Sequence, residues 1–250
     1  MTSLVVVPTY NERENLETLV AAILAAGPFH ILVVDDGSPD GTGEIAERLK
    51  RDLTGRLDVI HRAGKLGLGT AYIAGFKYAL TRDYSHVFEM DADFSHDPAV
   101  LPRLQAATDD ADLALGSRYV PGGATPDWSL SRRVISRGGS IYARVILGLP
   151  IHDITGGFKC FRRESLAALD LDAIRSEGYS FQIELSYRIH QLGGRIREIP
   201  IVFMDRRVGQ SKMSGRIVRE AVIAVWRLRL TPPPRSARTG TRPLADRRLV

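Results

Sequence analysis

The sequence predicts an α/β fold, with a mostly parallel sheet flanked by helices in a single domain. Two short β-branched apolar runs, residues 4–7 and 31–34, stop abruptly at Pro8 and at residues 35–37 (Asp-Asp-Gly), as strands of a buried parallel sheet do. A stretch with helical periodicity lies between the two runs. This strand–helix–strand order indicates a parallel pair, because parallel strands need a crossover connection.

The first helix is predicted to begin at a capping box. In Asn11-Glu-Arg-Glu14 a capping side chain stands three residues before a glutamate, so each could accept a backbone N–H bond near the helix start. Apolar residues follow at helical spacing, and Gly27-Pro28 ends the helix. These residues are Leu16, Leu19, Val20, Ile23 and Leu24.

The same alternation of helices and strands continues through the first half. The hydrophobic periodicity switches between helical and strand spacing, and Gly-containing turns separate the segments. We expect, in order, a helix at 41–53, a strand at 58–61, a helix at 70–81, and strands at 86–90 and 112–116.

The second half follows a different pattern. Residues 118–137 are predicted to be loop-rich and basic, and an apolar stretch follows. Two helical patterns occupy residues 164–193, and residues 196–203 alternate like a strand. Residues 215–230 are predicted to form a C-terminal amphipathic helix. The basic residues of the first stretch are Arg118, Arg132, Arg133 and Arg137.

Composition predicts one domain followed by a basic tail. The chain has 250 residues and 44% hydrophobic content, enough to bury one sizeable core. Its net charge is +5, but residues 231–250 hold five arginines and one aspartate and so carry +4 of it. We predict a domain at residues 1–230 and a disordered tail at 231–250. Because the charge lies in the tail, it does not indicate nucleic-acid binding by the domain.

The protein is expected at the cytoplasmic face of a membrane, attached peripherally. Cys160 is the single cysteine and cannot form an intramolecular disulfide, which suits a reducing compartment. The first residues lack the basic start, apolar run and cleavage site of a signal peptide. The apolar runs are shorter than the ~20 residues that span a bilayer. Any contact with a membrane is therefore expected to be peripheral or to run through a partner.

Acidic residues follow two of the predicted strands. Asp35 and Asp36 end one strand, and Asp91 and Asp93 follow another. Ligands of open parallel sheets bind beyond the carboxyl ends of the strands. If the strand continues, Asp91 and Asp93 project to one side and offer hard oxygen ligands to Mg²⁺ or Mn²⁺. Taken alone, Asp-x-Asp is a common tripeptide, and solvated turn residues or a helix N-cap before Pro98 explain it equally well.

Two nucleotide-binding motifs are missing where they would be expected. A dinucleotide dehydrogenase carries Gly-x-Gly-x-x-Gly after the first strand, and this chain has Pro8-Thr-Tyr-Asn-Glu12 there. The glycine-rich stretch at residues 64–69 lacks the Gly-Lys-Ser/Thr ending of a triphosphate-binding loop. It is explained equally well by a tight entry to the next helix and by contact with a phosphate. The six histidines are scattered without ligand spacing.

Several longer motifs together resemble one family. Those of the first half are Val-Pro8-Thr-Tyr-Asn-Glu12, Asp35-Asp-Gly-Ser-Pro-Asp-Gly-Thr42, Asp91-Ala-Asp-Phe-Ser-His-Asp-Pro98 and Gly116-Ser-Arg-Tyr119. Those of the second half are Ile135-Ser-Arg-Gly138, Asp153-Ile-Thr-Gly-Gly-Phe-Lys159, Gly178-Tyr-Ser-Phe-Gln182, Asp205-Arg206 and Ser211-Lys212. In this order, over residues 3–215, they resemble the dolichol-phosphate (polyprenol-phosphate) mannosyltransferases, which are inverting glycosyltransferases of family 2 with a GT-A fold, a Rossmann-like arrangement.

The resemblance implies a function for the chain. It implies metal-dependent transfer of mannose, with inversion, from GDP-mannose to a polyprenyl (dolichyl) monophosphate, giving a β-linked product. A polyprenyl phosphate is already an anionic nucleophile, so no tuned catalytic base is needed. Two alternatives stay open, namely a polyprenyl-phosphate glucose synthase that uses UDP-glucose and a non-catalytic lipid-binding adaptor.

The resemblance also implies the site residues, position by position. Those implied for the nucleoside are Pro8, Tyr10, Glu12, Val34 and Asp36. Those implied for the diphosphate and the Mg²⁺ or Mn²⁺ ion are Asp91, Ala92 and Asp93. A metal contact of Ser95 is doubtful, because relatives carry Gln at that position. Those implied to cover the donor diphosphate are Arg206 and Lys212. Those implied for the acceptor phosphate are Arg118, Arg132 and Ser136. Asp91, Asp93, Arg118 and Arg206 are the expected catalytic residues.

The predicted C-terminal helix leaves two interpretations open. Apolar residues lie on one side of it and arginines elsewhere, which suits a helix at a membrane surface. A helix that packs on the core explains the pattern nearly as well. Some members of the family carry transmembrane segments after this point, so we expect either peripheral attachment or an integral membrane protein as partner. The apolar residues are Val218, Ala221, Val222, Val225 and Trp226.

Overall fold

A seven-stranded sheet forms the centre of the molecule. The computed structural model describes residues 2–205 and 215–231, with the side chains of 215–219 excepted. The strand order is β3-β2-β1-β4-β6-β5-β7. The strands are β1 (Thr2–Thr9), β2 (Phe29–Asp35), β3 (Leu57–His61), β4 (Tyr84–Glu89), β5 (Leu113–Ser117), β6 (Lys159–Arg162) and β7 (Ile196–Pro200).

The sheet is parallel except at one strand. Strand β1 pairs in parallel with β2 and β4, β2 with β3, and β5 with β7. Strand β6 runs antiparallel between β4 and β5. The carboxyl ends of the other strands therefore meet at one edge of the sheet, and the predicted mostly parallel α/β fold is confirmed.

Helices cover both faces of the sheet. They are α1 (Leu16–Ala26), α2 (Thr42–Asp52), α3 (Leu68–Leu80), α4 (Leu101–Ala107), α5 (Leu130–Leu147), α6 (Arg163–Ala167), α7 (Gly178–Gln191) and α8 (Gly215–Leu230). Because side chains alternate along a strand, Val5 and Val7 pack with α1, α2 and α4, whereas Leu4 and Val6 pack with α3, α6 and α7. The helices predicted at 41–53 and 70–81 are confirmed as α2 and α3.

The predicted start of the first helix is wrong. Helix α1 begins at Leu16, and Asn11 has a left-handed backbone with φ 60°. The Asn11 N–H donates to Ser38 Oγ at 3.0 Å, and the Glu12 N–H donates to Thr42 Oγ1 at 3.0 Å. Residues 10–15 thus form a loop fastened to the loop after β2, and these contacts outside the segment prevail over the local capping pattern.

The prediction of a loop-rich stretch at 118–137 is wrong in its second part. Helix α5 starts at Leu130, with Ser129 Oγ accepting the N–H of Arg132. Several apolar residues of this helix face solvent, so no single buried stripe marks it in the sequence. Strand β6 is a further element that the periodicity does not predict, since it has only four residues and one of them is the charged but fully buried Lys159.

Helix α8 combines buried and exposed apolar residues. Val225 and Leu228 are buried in a cluster with Ala143 of α5 and Ile183 of α7. Trp226 is 48% exposed, although it was expected to share a face with Val225. Over the described residues 220–230 the helix therefore packs on the domain, as the second interpretation expected, and also keeps apolar surface in contact with solvent.

In the parts of the chain that the structure describes, no helix is both long and apolar enough to cross a membrane. The expected tail at 231–250 lies outside those parts, apart from its first residue.

Candidate active site

A first cleft opens at the carboxyl ends of β1, β2 and β4, with a volume of about 350 Å³. Four of the five residues expected to contact a nucleoside line it, namely Pro8, Tyr10, Glu12 and Asp36. The residues expected at a diphosphate, Asp91, Ala92 and Asp93, complete its wall. Val34 lies elsewhere, because its alternation along β2 turns its fully buried side chain into the core cluster that contains Tyr72.

A second cleft, also of about 350 Å³, adjoins the first. Leu68, Asp91 and Asp93 line both clefts, so the two cavities meet at the pair of aspartates. The acidic side chains Glu177 and Glu220 share the rest of the second cleft with basic and aromatic ones. The basic and aromatic side chains include His96, Arg118, Trp128, Arg132, Tyr179 and Phe203.

An apolar groove of about 100 Å³ continues from the second cleft between α5, α7 and α8. Thr155 and Tyr179 line both cavities. The groove has little polar lining apart from these two residues and Ser136. Its apolar wall includes Ile135, Tyr142, Ala143, Ile183, Val222 and Val225. The three cavities thus run in one series from the ends of the strands to the helices α5 and α8.

Buried partners orient Asp91. The Tyr72 hydroxyl donates to Asp91 Oδ1 at 3.0 Å, and the Asp91 N–H donates to His96 Nδ1 at 3.3 Å. His96 is 2% exposed and stacks on Phe158 with ring centroids 4.8 Å apart. Burial lowers the pKa of His96, so the ring is neutral and carries its proton on Nε2.

Residues 91–95 offer oxygen ligands in a turn rather than in a strand. Strand β4 ends at Glu89, and Phe94 has a left-handed φ of 60°. The Ser95 N–H donates to Asp93 Oδ1 at 3.0 Å, whereas Ser95 Oγ is buried and has no hydrogen-bond partner in the described part of the chain. Two carboxylates and an unsatisfied hydroxyl suit a hard divalent cation that takes its other ligands from water and phosphate. No larger cluster of His, Cys, Asp and Glu able to hold a metal ion occurs among the described residues.

A buried charge pair lies beneath Asp91. Lys159 Nζ is 3.7 Å from Glu89 Oε2, and both side chains are fully buried. Lys159 also donates to the backbone and side-chain oxygens of Gln182, which lines the second cleft. Burial raises the pKa of Glu89 to about 7 and lowers the pKa of Lys159, in each case against the attraction of the opposite charge.

An ion pair also fixes Asp36 at the far end of the first cleft. Arg62 Nε donates to Asp36 Oδ1 at 2.5 Å, and the Leu66 N–H donates to Asp36 Oδ2 at 3.2 Å. The Arg62 guanidinium also bonds Thr70 Oγ1 and the Gly67 carbonyl. These bonds tie the glycine-rich stretch at 64–69 to the cleft wall. Its Lys65 lies 4.2 Å from the centre of the Tyr10 ring.

Arg118 is the most constrained cation of the second cleft. It is 8% exposed and forms a two-pronged ion pair with Asp153, with Nη2 2.6 Å from Oδ1. Its guanidinium carbon lies 5.2 Å from the Trp128 ring and 5.3 Å from the Phe203 ring. Burial alone would lower the pKa of Arg118, but the charge and hydrogen bonds of Asp153 outweigh burial and raise it.

Arg132 and Ser136 lie one turn apart on α5. Arg132 Nη1 donates to Asp205 Oδ2 at 2.9 Å, and its guanidinium lies 4.1 Å from the Trp128 ring centre. Ser136 Oγ accepts from the Tyr119 hydroxyl at 2.6 Å and lines the apolar groove. Helix α5 therefore places Arg132 at the second cleft and Ser136 at the groove. Arg206 and Lys212 lie outside the described residues.

Several residues that line the two clefts carry no signal in the sequence. Lys65, Leu68 and Gln182 belong to stretches whose spacing indicates only a tight turn or a helix. The spacing of the histidines indicates a structural role for His96 and does not reveal its contact with the Asp91 backbone. The position of Trp128 suits a core or membrane-facing residue. Only the fold brings these side chains to the same cavity.

Comparison with known proteins decides the family. A model of the family described as "Glycosyl transferase family 2" matches residues 4–170, which is more than half of the chain and includes both aspartates. This chain is a family 2 glycosyltransferase. A glycosyltransferase is an enzyme, so the interpretation as a non-catalytic adaptor does not hold.

Two curated relatives of this family 2 glycosyltransferase are similar over nearly their whole length. The polyprenol monophosphomannose synthase of Mycolicibacterium smegmatis is 52% identical over 231 residues, 91% of this chain and 87% of the relative. The undecaprenyl-phosphate mannosyltransferase of Micrococcus luteus is 51% identical over 229 residues, 91% of this chain and 93% of the relative.

Solved structures show the same GT-A fold at lower identity. Glucosyl-3-phosphoglycerate synthase of Mycobacterium tuberculosis, in complex with Mn²⁺, UDP and glucosyl-3-phosphoglycerate, matches with a TM-score of 0.64 and 21% identity over 93% of this chain and 81% of that one. The mannosyltransferase PcManGT of Pyrobaculum calidifontis, in complex with GDP-Man and Mn²⁺, matches with a TM-score of 0.59 and 19% identity over 87% of this chain and 60% of that one.

Proposed function

We propose that this glycosyltransferase moves mannose from GDP-mannose to a polyprenyl monophosphate, with inversion at the anomeric carbon, giving polyprenyl phosphate β-mannose. The observation that carries the proposal is the series of three cavities. A cleft with a pair of aspartates adjoins a second cleft that contains two arginines, and the second cleft opens into an apolar groove. The first cavity suits a nucleotide sugar, the second a phosphate and the third a prenyl chain. The names of the two curated relatives support the same activity.

The first cleft suits the donor. Asp36, held by Arg62 and by the Leu66 N–H, offers an acceptor to the N–H groups of a nucleobase. Tyr10 is 36% exposed and offers a ring face. Arg206 and Lys212 are proposed to cover the diphosphate, because two cations there would stabilise the charge that the leaving group gains.

Mg²⁺ or Mn²⁺ would be held by Asp91, Asp93 and the Ser95 hydroxyl. The ion, when bound, supplies Lewis-acid stabilisation of the departing diphosphate. Tyr72 and His96 keep Asp91 in place from the protein side, so this half of the site is organised before the donor arrives.

The second cleft suits the acceptor phosphate. Arg118 and Arg132 offer directed N–H donors, and Trp128, which contacts both guanidinium groups, restricts their motion. A phosphate oxygen held there lies on the side of the aspartate pair opposite the nucleoside. That arrangement suits in-line attack on the anomeric carbon, which inverts its configuration. The nucleophile is already ionised, so the neutral His96 is not required as a base.

The apolar groove suits the first isoprene units of the acceptor, and Ser136, a polar residue of its lining, suits the linking phosphate oxygen. Apolar residues on the outer surface of α5 are largely exposed, as a helix at the membrane interface requires. These are Leu130 (77%), Val134 (62%), Ile141 (51%) and Val145 (73%). We therefore propose peripheral attachment at the cytoplasmic face of the membrane through α5 and α8, with an integral membrane protein as a further partner.

A transfer assay tests the proposal. Labelled sugar from GDP-mannose, and separately from UDP-glucose, is offered to farnesyl phosphate with Mg²⁺, with Mn²⁺ and with a chelator. We expect metal-dependent transfer from GDP-mannose and a β-linkage in the product by NMR. Transfer from UDP-glucose alone would instead favour the glucose synthase.

A matched pair of variants tests the metal assignment. Asp93→Ala should abolish transfer and leave the folded structure intact by circular dichroism, whereas Asp83→Ala, at an exposed turn, should leave transfer unchanged. Normal activity of Asp93→Ala would contradict the assignment.

A further inference from the structure

The loop between α5 and β6 contains a motif to which the proposed function gives no role. Residues 153–157 (Asp-Ile-Thr-Gly-Gly, here called the Asp153 loop) pass beneath Arg118, and Thr155, Gly156 and Gly157 line the second cleft. A Cβ atom at Gly156 would lie 3.1 Å from the Gly116 carbonyl oxygen. The close packing that glycine permits here brings the loop backbone against the strand that precedes Arg118.

Asp153 fixes the position of Arg118. The Asp153 carboxylate is fully buried and accepts three hydrogen bonds from Arg118. The donors are the Arg118 backbone N–H at 2.8 Å, Nε at 2.7 Å and Nη2 at 2.6 Å. The Asp153 N–H is bonded in turn to Glu198 Oε1 of β7 at 2.9 Å. Within the described residues, no hydrogen bond to Arg118 Nη1 is found. The guanidinium is therefore held by one edge, and Nη1 is the nitrogen left to bind a ligand.

Thr155 adds a hydroxyl group to the same guanidinium, at Nη2. Its Oγ1 accepts from Arg118 Nη2 at 2.9 Å. A hydroxyl that accepts a hydrogen bond still has its own proton to donate. Thr155 lines both the second cleft and the apolar groove, so it lies where a phosphate joined to a prenyl chain would pass from one to the other.

The ion pairs of the two arginines favour such a neutral donor. Asp153 already compensates the positive charge of Arg118, and Asp205 pairs with Arg132. Recognition of a phosphate here therefore depends on directed hydrogen bonds more than on excess positive charge. The neutral hydroxyl of Thr155, bonded to Arg118 Nη2, supplies one without adding a charge.

We propose that Thr155 is a binding residue for the phosphate of the acceptor, which it shares with Arg118 Nη1, and that Asp153 is the positioning residue that presents Arg118 to it. This inference rests on the proposed function, because it takes the ligand of the second cleft to be the acceptor phosphate. It gives the motif at residues 153–157 a role in acceptor recognition.

The first test compares Thr155→Val with Thr155→Ser. Steady-state transfer from GDP-mannose to farnesyl phosphate is measured while each substrate is varied in turn. Loss of a hydrogen bond to a charged group should raise the KM for farnesyl phosphate by roughly tenfold or more in Thr155→Val and leave the KM for GDP-mannose within about twofold. Thr155→Ser keeps the hydroxyl and should behave as the unaltered enzyme. An unchanged acceptor KM in Thr155→Val, or equal damage in both variants, would overturn the role of Thr155.

The second test is a double-mutant cycle between Asp153→Asn and Arg118→Gln. If Asp153 acts only through Arg118, the double variant should have the same acceptor KM as Arg118→Gln alone, with the donor KM unchanged throughout. Losses that add, or a donor KM that rises with the acceptor KM, would assign Asp153 a general structural role instead.

The activity of the unaltered enzyme distinguishes failure of the proposed function from failure of this inference. Absence of transfer to farnesyl phosphate in the unaltered enzyme would overturn the proposed function and this inference together. Transfer by the unaltered enzyme with an unaffected Thr155→Val variant would overturn this inference alone.

Discussion

The Tyr72 hydroxyl donates to Asp91 Oδ1 at 3.0 Å from a ring that is fully buried in the core. Burial, and then the charges of Asp91 and Glu89, raise the pKa of Tyr72 well above its ordinary value, so the phenol keeps its proton. Tyr72 stacks against Phe76 and Phe181, with ring centroids 6.2 and 6.1 Å away. The core of the domain thus reaches directly to one carboxylate of the proposed metal site.

Removal of this hydroxyl should weaken the metal site without disturbing the core. In Tyr72→Phe the ring stays and the bond to Asp91 is lost, so we expect the metal concentration for half-maximal activity to rise by about tenfold, as a single charged hydrogen bond allows. Titration of activity with Mn²⁺ measures it. Phe76→Leu, in the same core but without contact to Asp91, should lower the melting temperature and leave the metal dependence as it is.

Arg62 should control donor affinity through Asp36. The pair is nearly buried, with side-chain exposures of 9% and 8%. Loss of one partner of such a pair leaves the other charge uncompensated, so Arg62→Met should raise the KM for GDP-mannose by more than about tenfold. The KM for farnesyl phosphate should not change. Arg48→Met, which removes an exposed surface ion pair with Glu17, is the matched control and should leave both values unchanged.

The buried Glu89 should make stability depend on pH. Its pKa rises from 4.5 to about 7 on folding, so the native state holds a proton that the unfolded state has lost. Its contribution is therefore fully present below pH 4.5 and is lost as the pH rises to about 7. The neutral amide of the Glu89→Gln variant does not titrate in this range. We expect the free energy of unfolding of Glu89→Gln, relative to the unaltered protein, to increase by on the order of 3 kcal/mol across that window. Urea unfolding in the presence of a chelator measures it, and a difference that is flat with pH would contradict the assignment.

Two neighbouring glycines of α5 test the groove. Gly138 and Gly139 both have open space where a Cβ atom would lie, but only Gly139 lines the apolar groove. A tryptophan at 139 would fill the groove, so Gly139→Trp should raise the KM for farnesyl phosphate by about tenfold, equivalent to losing the burial of a few methylene groups. Gly138→Trp should not. Equal effects of the two variants would show that the prenyl chain binds elsewhere.

Much of the fold could be predicted because its signals are local. The strands and helices of residues 2–117 have clear periodicity, and the acids at the ends of β2 and β4 follow from the topology of a parallel sheet. Helix α5 and strand β6 could not be predicted in this way. Several apolar residues of α5 face solvent, and β6 is short and carries the buried Lys159, so neither shows the pattern of its class.

The candidate site, like the fold, could be predicted from the sequence only in part. Sequence motifs alone determined that the chain resembles family 2 glycosyltransferases and which carboxylates and arginines to examine, because those residue types follow from the chemistry of phosphates and metals. Only the tertiary structure decided how they are held. Three contacts hold them, namely Tyr72 with Asp91, Arg62 with Asp36 and Asp153 with Arg118. The partners in these contacts lie 19, 26 and 35 positions apart in the chain. Such pairs leave no periodic trace in a sequence, since the contact depends on how the sheet and its loops pack in three dimensions.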